Sequence, residues 1–255
     1  MTDEQVDVLV VGGGPAGSTA AWDLARRGRS VLLLDRDGRV KPCGGAVPPQ
    51  LMTEFEVPAS LLVNRVDCAR MVSPVGRAVD IPIENGYVGM VDREVFDEWL
   101  RERAVSAGAV RRTGIFTGLS GNADGTASVT YRAGASRSDH TVQVRARMVI
   151  GADGALSAVA RAAIPCAKDA RQLANARRTF MKQHGQVFRV LSIMQRYWYS
   201  TDGRRERFVA ICRDRDVQRL TFEGYMHKRL VRAEPLVHLR IFLKNIGHLS
   251  GLVPV

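Results

Sequence analysis

The chain holds 255 residues, 45% of them hydrophobic and 25% charged, with a net charge of +11. That length can bury a sizeable core in one large domain or two modest ones, and no apolar run is long enough to span a bilayer. The charge is lopsided, because residues 1–160 hold 18 Lys and Arg against 19 Asp and Glu, whereas residues 161–255 hold 19 against 7. The last third is therefore expected to meet an acidic partner: membrane lipid, a phosphorylated ligand or nucleic acid. No zinc finger, RRM-like motif or spaced basic recognition helix supports nucleic acid. The four cysteines (Cys43, Cys68, Cys166, Cys212) form no CxxC pair and the five histidines no metal-binding spacing. Reduced thiols in a cytosolic setting are expected, with neither a disulfide framework nor a metal. The first residues run directly into an apolar strand, so no signal peptide is expected.

That strand is Val6-Asp7-Val8-Leu9-Val10-Val11, short and β-branched as a buried parallel strand should be. Gly12-Gly13-Gly14-Pro15-Ala16-Gly17 follows, then a helix to Arg27 and a second strand, Val31 to Asp35. Gly12 permits the tight turn, Gly14 lets backbone approach a pyrophosphate, and Gly17 lets helix and strand pack closely. Pro15 suits the first helical turn, and Gly28 can end the helix. Ala16, Ala20, Leu24 and Ala25 are expected to form its apolar face. Free N–H groups and the positive end of the helix dipole would then face a diphosphate. Asp35, 18 residues after Gly17, can accept from a ribose 2′-hydroxyl and repel a 2′-phosphate, which favours FAD or NAD over NADP.

The loop from Arg36 to Gly45 contains Cys43 beside Gly44-Gly45. Two readings fit Cys43: a thiol that a ligand ring can approach, or an inert loop cysteine. A short helix is expected near Gln50–Phe55. Short strands are expected at Arg70–Val72, Val79–Pro82 and Tyr87–Met90, with a turn at Pro74-Val75-Gly76. Asp92 opens an amphipathic helix with Val95, Phe96, Trp99, Leu100 and Ala104 on one face, and Gly108 ends it. A three-strand antiparallel meander follows (Gly114–Leu119, Ala127–Tyr131, Thr141–Val144), with turns at Gly121–Asp124 and Gly134–Ser138. A separate buried strand at Arg147–Ile150 then leads into Gly151-Ala152-Asp153-Gly154 and a helix through Arg161. This second glycine-acid turn reads either as another contact to the same cofactor or as a simple turn.

From Ala170 onward the pattern is helical, with Phe180, His184, Val187, Leu191, Met194 and Trp198 at helical spacing and a break at Asp202-Gly203. Further helices are expected at Arg204–Cys212, Asp216–Arg232 and Pro235–His248. The aromatics read either as helix-packing core or as the rim of a basic face on a membrane surface. The expected organisation is a Rossmann-type domain over 1–165 with a β-meander, and a basic helical region over 166–255.

GGGPAG (12–17), KPCGG (41–45), VGMVDREVFDEWL (88–100) and GADGALSAVAR (151–161) resemble the geranylgeranyl reductase family. So do RRTFMKQHGQVF (177–188), the block over 194–226 and VRAEPLVHLRIFLKNIGHL (231–249). Within the family the likeness is to bacterial enzymes that saturate the geranylgeranyl tail of (bacterio)chlorophyll, or of geranylgeranyl diphosphate, to phytyl in photosynthetic pigment synthesis. The resemblance implies an α/β flavoprotein, p-hydroxybenzoate-hydroxylase-like, with FAD as cofactor and NADPH as electron donor. Gly12, Gly14, Pro15, Ala16 and Gly17 would hold the pyrophosphate, and Asp35 with Arg36 the adenosine ribose side. Arg93, Asp153 and Gly154 would also touch FAD, and Cys43 with Gly44 would lie by the flavin ring, Cys43 as the candidate catalytic residue. Hydride would pass to an isolated C=C and a proton to the other carbon, in a dry apolar slot. A cytoplasmic protein resting on the inner or photosynthetic membrane through its basic end is expected.

The chain departs from the family between GADGALSAVAR and RRTFMKQHGQVF, where family members carry most of a substrate-domain sheet and a second flavin motif of Gly-Asp-Ala-Ala-Gly type. Residues 163–171 bridge the two blocks directly. An internal deletion is inferred; it would compromise the flavin half of the site and activity, and leave apolar surface uncovered. The alternatives are an FAD-dependent monooxygenase of the same superfamily and a non-catalytic basic module that docks on membranes.

Overall fold

The computed structural model describes residues 4–36, 42–83, 86–134, 140–166, 170–220 and 235–254. The chain forms two units, one from residues 1–43 and 93–170, the other from 44–92 and 171–255. This division differs from a single boundary at 165, because residues 44–92 group with the C-terminal residues and not with the strands that flank them in sequence.

The first unit is built on β1 (Gln5–Val11) and β2 (Val31–Asp35), separated by α1 (Pro15–Ala25). The two strands run parallel, Leu9 opposite Leu32, and both faces are covered. Leu9, Val11, Leu32 and Leu34 join Tyr131, Val129 and Val144 on one side. Val8, Val10, Val31 and Leu33 join Ala21, Ala25 and Ala104 on the other. Burial on both faces is why these strands read as unbroken apolar runs rather than as alternation. The helix face that makes this contact is Gly17, Ser18, Ala21 and Ala25. Of the four residues expected there only Ala25 is buried, and Ala16 is exposed; close packing selected the smallest side chains.

The remaining strands of this unit close the sheet. With β3 (Ala46–Val47), β4 (Leu62–Val66), β5 (Cys68–Val72), β6 (Ala78–Pro82) and β7 (Val88–Val91) in the other unit, they are β8 (Val110–Gly121), β9 (Ala127–Ala133) and β10 (His140–Gly151). The barrel order is β1-β10-β9-β8-β2. β8 begins parallel to β2 and continues antiparallel to β9, while β10 begins antiparallel to β9 and ends parallel to β1. The expected strands Thr141–Val144 and Arg147–Ile150 are thus one strand that changes partner. The second half is not the buried strand expected, since Arg147 and Met148 are exposed. Gly125 takes a φ of +84° in the β8–β9 turn. The other expected turn lies mostly outside the described residues, at 135–139.

Helix α3 (Arg93–Ser106) follows the short α2 (Pro49–Glu54) in chain order and packs on the outer face of the first unit through Ala104. Its buried positions are Phe96, Asp97, Leu100, Arg101 and Ala104, whereas Val95 is exposed. The expected apolar stripe holds at Phe96, Leu100 and Ala104, and two charged residues, Asp97 and Arg101, turn inward beside it. Helix α4 (Ala158–Cys166) closes the unit, with Val159 in the barrel core.

The second unit holds a sheet of order β3-β7-β4 and the β5-β6 hairpin. β4 was not expected, its outward side chains Val63, Asn64 and Arg65 giving no clear alternation. In the hairpin Arg70 sits opposite Asp80 and bonds it through two nitrogens. Helix α5 (Ala170–Ile193) runs into a π-helical turn (Met194–Trp198), and α6 (Asp202–Ile211) and α7 (Pro235–Ser250) follow. The helix breaks at 199–201, just ahead of the expected Asp202-Gly203, which instead starts the next helix, with Thr201 accepting from the Arg204 N–H as the cap. The helix expected over 216–232 is seen from 215 to 220 and otherwise lies outside the described residues. Trp198, Val209, Ile211 and Cys212 pack on Val79 and Ile81 of β6, and Glu206 accepts from the Val75 N–H at 2.7 Å. The core reading of the aromatics thus holds for Trp198, while Phe180, Phe188 and Leu191 are exposed.

His248 in α7 is buried, its Nδ1 without a partner among the described residues. Burial holds its pKa below the ordinary value, and the nearby charges of Arg207 and Lys244 add to this. Its neutral form is the one the fold accepts. The stabilisation is complete above the unfolded value of about 6.5 and is lost as pH falls through the lower folded value. Melting followed by circular dichroism between about pH 7 and 5.5 should show a falling Tm, and His248→Gln should flatten that slope.

Candidate dinucleotide site

At the C-terminal end of β1, the glycine turn opens into a cavity of about 250 Å³. Gly12 takes a φ of +108°, and a Cβ there would strike the Ala152 carbonyl. A Cβ at Gly17 would overlap the Gly12 carbonyl oxygen, so the helix can start this close to the strand only with glycine. Gly14 differs: no protein atom lies within 4 Å of its would-be Cβ. That open space is at the N-terminus of α1, whose first N–H groups have no helical acceptor. The cradle has the shape and polarity for a pyrophosphate.

The cavity wall contains Gly12, Gly14, Pro15, Ala16, Asp35, Arg36, Arg93, Asp153 and Gly154, nine of the residues singled out from sequence. Gly17 stands behind the wall as a packing residue. Cys43 is exposed and is not in the wall; it lies close enough to Arg93 to influence that guanidinium. Gly44 belongs to the second unit, so the pair expected beside a flavin ring is divided between the units.

Two residues that sequence reasoning missed shape the site. Arg101, only 9% exposed, donates from Nε to the Gly13 carbonyl at 3.0 Å and to Asp35 Oδ2 at 3.2 Å. Its Nη1 donates to Glu98 Oε2 at 2.6 Å. Arg111 binds the same Glu98 carboxylate, and its hydrogen bond is the main reason Glu98 titrates below its usual range, against the opposing effect of burial and with help from Arg101. Asp35 keeps Oδ1 without a protein partner among the described residues, available to a ribose hydroxyl. Asp97, also buried, receives Arg93 Nε at 2.9 Å and Nη2 at 2.8 Å. That pairing raises the Arg93 pKa above its ordinary value; burial opposes it and the Cys43 contact adds to it. An Arg-x₃-Asp-x₃-Arg spacing puts all three on one helical face, which is the signal by which they could have been found.

Asp153 resolves the choice left open for the second turn toward a definite structural role. Its Oδ2 accepts from the Ala158 N–H at 2.6 Å and the Val159 N–H at 3.2 Å, and Oδ1 from Ser157 Oγ. It caps α4 while its turn, with Gly154 at φ +92°, forms part of the cavity wall. Burial would raise its pKa, but these hydrogen bonds outweigh burial and hold it below the usual carboxylate value. Its contribution to stability is present above about pH 4 and lost as pH falls through the lower folded value.

FAD fits the donors present: an open cradle for a diphosphate, a carboxylate for a ribose, and Arg36 and Arg93 to balance phosphate charge. Arg101→Ala should weaken binding of ADP, measured calorimetrically, by about 1–3 kcal/mol, because Asp35 and the Gly13 carbonyl lose their shared donor. Arg101→Lys should restore only part, since it lacks the fork. Asp153→Ala should cost about 1 kcal/mol in denaturant unfolding at pH 7 and make the loss of stability below about pH 4 shallower.

The family model described as "FAD dependent oxidoreductase" matches residues 7–242. The chain is 36% identical to the geranylgeranyl diphosphate reductase of Rhodobacter capsulatus, over 97% of this chain and 98% of that protein. That alignment extends over 388 positions against the 255 residues of this chain, so a long internal stretch of the relative has no counterpart. The chloroplastic geranylgeranyl diphosphate reductase of Arabidopsis thaliana is 41% identical over 172 residues, 63% of this chain and 36% of the plant protein. The crystal structure of a geranylgeranyl bacteriochlorophyll reductase-like protein from Thermoplasma acidophilum superposes with a TM-score of 0.51 at 30% identity, over 57% of this chain and 38% of that one. At 36% identity along nearly its whole length, and with the family model matched over most of its residues, the chain belongs to the geranylgeranyl reductase family of FAD-dependent oxidoreductases, on the α/β, p-hydroxybenzoate-hydroxylase-like fold.

Proposed function

We propose that this chain derives from an FAD-dependent enzyme that uses NADPH to reduce isoprenoid C=C bonds, taking geranylgeranyl groups of a diphosphate or a (bacterio)chlorophyll ester toward phytyl. In this chain the ADP half of the FAD site is retained, and the flavin half and catalytic turnover are diminished or lost. The observation that carries this reading is the Gly14–Asp35–Arg101 cavity in a chain 36% identical to a geranylgeranyl diphosphate reductase along nearly its whole length.

The protein's share of the work is holding and orienting. The α1 N-terminus and Arg93 would hold the diphosphate, Asp35 would fix the ribose, and Arg101 would keep Asp35 aimed. Bound FAD would supply the hydride chemistry. NADPH, carrying a 2′-phosphate, is repelled by Asp35 and must act from another position.

The decisive measurement compares ADP and FAD affinity by calorimetry, then records the visible spectrum anaerobically with NADPH and geranylgeranyl diphosphate. ADP binding within about threefold of FAD, and no bleaching of added FAD by NADPH beyond the protein-free rate, is the expected result. FAD binding far tighter than ADP, with bleaching reversed by the isoprenoid, would show the flavin half intact and refute the loss. Reoxidation by oxygen alone with a hydroxylated product would assign the chain to monooxygenases instead.

A further inference from the structure

Between Ala170 and Asp202 the chain carries six Lys and Arg and no Asp or Glu. Arg178, Lys182 and Arg189 of α5 fall within about 40° of one line along the helix at 100° per residue, all exposed. None is in an ion pair among the described residues. Phe180 and Leu191 lie on the opposite side of the helix, 48% and 52% exposed, and Phe188 on the flank, 47% exposed, its ring 5.8 Å from that of Phe180. Exposed apolar surface gathered in this way on a helix marks an interaction site.

Helix α7 makes a useful contrast. It also exposes apolar residues, Phe242 at 60% among them, but its cations Arg240 and Lys244 are already paired with Asp216 and Asp214. Its bare side needs only apolar cover, which the stretch absent from this chain could have supplied. On α5 exposed apolar residues occur together with cations that have no ion pair among the described residues. No helix among the described residues is long and apolar enough to cross a membrane. A helix of this kind lies in the plane of an anionic bilayer, its apolar side among the acyl chains and its cations at the headgroups.

We infer that α5 is an interfacial docking helix for an anionic phospholipid surface. The inference rests on the exposure and charge of α5 and is independent of whether the dinucleotide site turns over. The test uses the full chain and co-sedimentation with phosphatidylcholine vesicles with and without phosphatidylglycerol. Partition should be at least roughly tenfold stronger with phosphatidylglycerol and weaken as salt rises. The Arg178→Glu/Lys182→Glu/Arg189→Glu variant should lose at least roughly tenfold of it, and Phe188→Asp/Leu191→Asp should abolish it even at low salt. Both variants should keep the parent's ADP affinity and circular dichroism, which separates lost docking from lost folding. A Phe188→Trp variant should be quenched by brominated phosphatidylglycerol, placing that position within the acyl region. No preference for anionic vesicles, no effect of either variant, or no quenching would overturn the inference. So would a dimer that Phe188→Asp/Leu191→Asp converts to monomer without changing vesicle binding, because a second copy would then be the cover.

Discussion

The Gly13 carbonyl is where three elements of the first unit are tied together. It accepts from Ser18 Oγ of α1 and from Arg101 Nε of α3, and the same Arg101 nitrogen reaches Asp35 at the end of β2. A buried carbonyl in a turn must find donors, and here the donors come from the helices that line the cavity. The turn therefore cannot move without moving the helix that presents its N–H groups or the carboxylate that would select the ribose. Gly12 and Gly17 make the arrangement possible by letting strand, helix start and the 151–154 turn approach within van der Waals contact. The site's geometry is a consequence of close packing at the end of β1.

The two units rest on different resources. The first has a continuous core with β1 and β2 buried on both faces and a barrel closed by strands that change partner midway. The second depends on a smaller cluster around Trp198 and Ile81, and much of its apolar surface is uncovered on α5 and α7. Uncovered apolar area contributes nothing to folding at roughly 25 cal/mol per Å², so the second unit draws less stability from its composition than the first. The exposed side of α7 needs only apolar cover, whereas that of α5 adjoins cations with no ion pair among the described residues.

Local features were legible in sequence wherever one residue type has one physical reason to be there. The turn at 12–17, β2 at 31–35, the caps at Gly28 and Gly108, and the β5–β6 turn at Gly76 all stand where backbone chemistry places them. Arg101 and Asp97 were not legible, because on an isolated helix charged residues read as a solvated face. Only the position of α3 against the glycine turn reveals that they point inward. The continuous β10 was hidden for a similar reason: its alternation holds against β9 and fails when its neighbour becomes β1. Cys43 beside Arg93 could not be inferred from spacing, since 50 positions separate them in the chain.

By itself the sequence determined the glycine turn, the acid that ends β2, the family resemblance and the acid-free basic stretch, because each depends on residue identity at short range. Tertiary structure alone decided that Asp153 caps a helix, that Arg101 holds Asp35 and that the apolar side of α5 is uncovered. Those depend on which distant segments meet, and long-range packing, with the burial it imposes, is not written in local spacing.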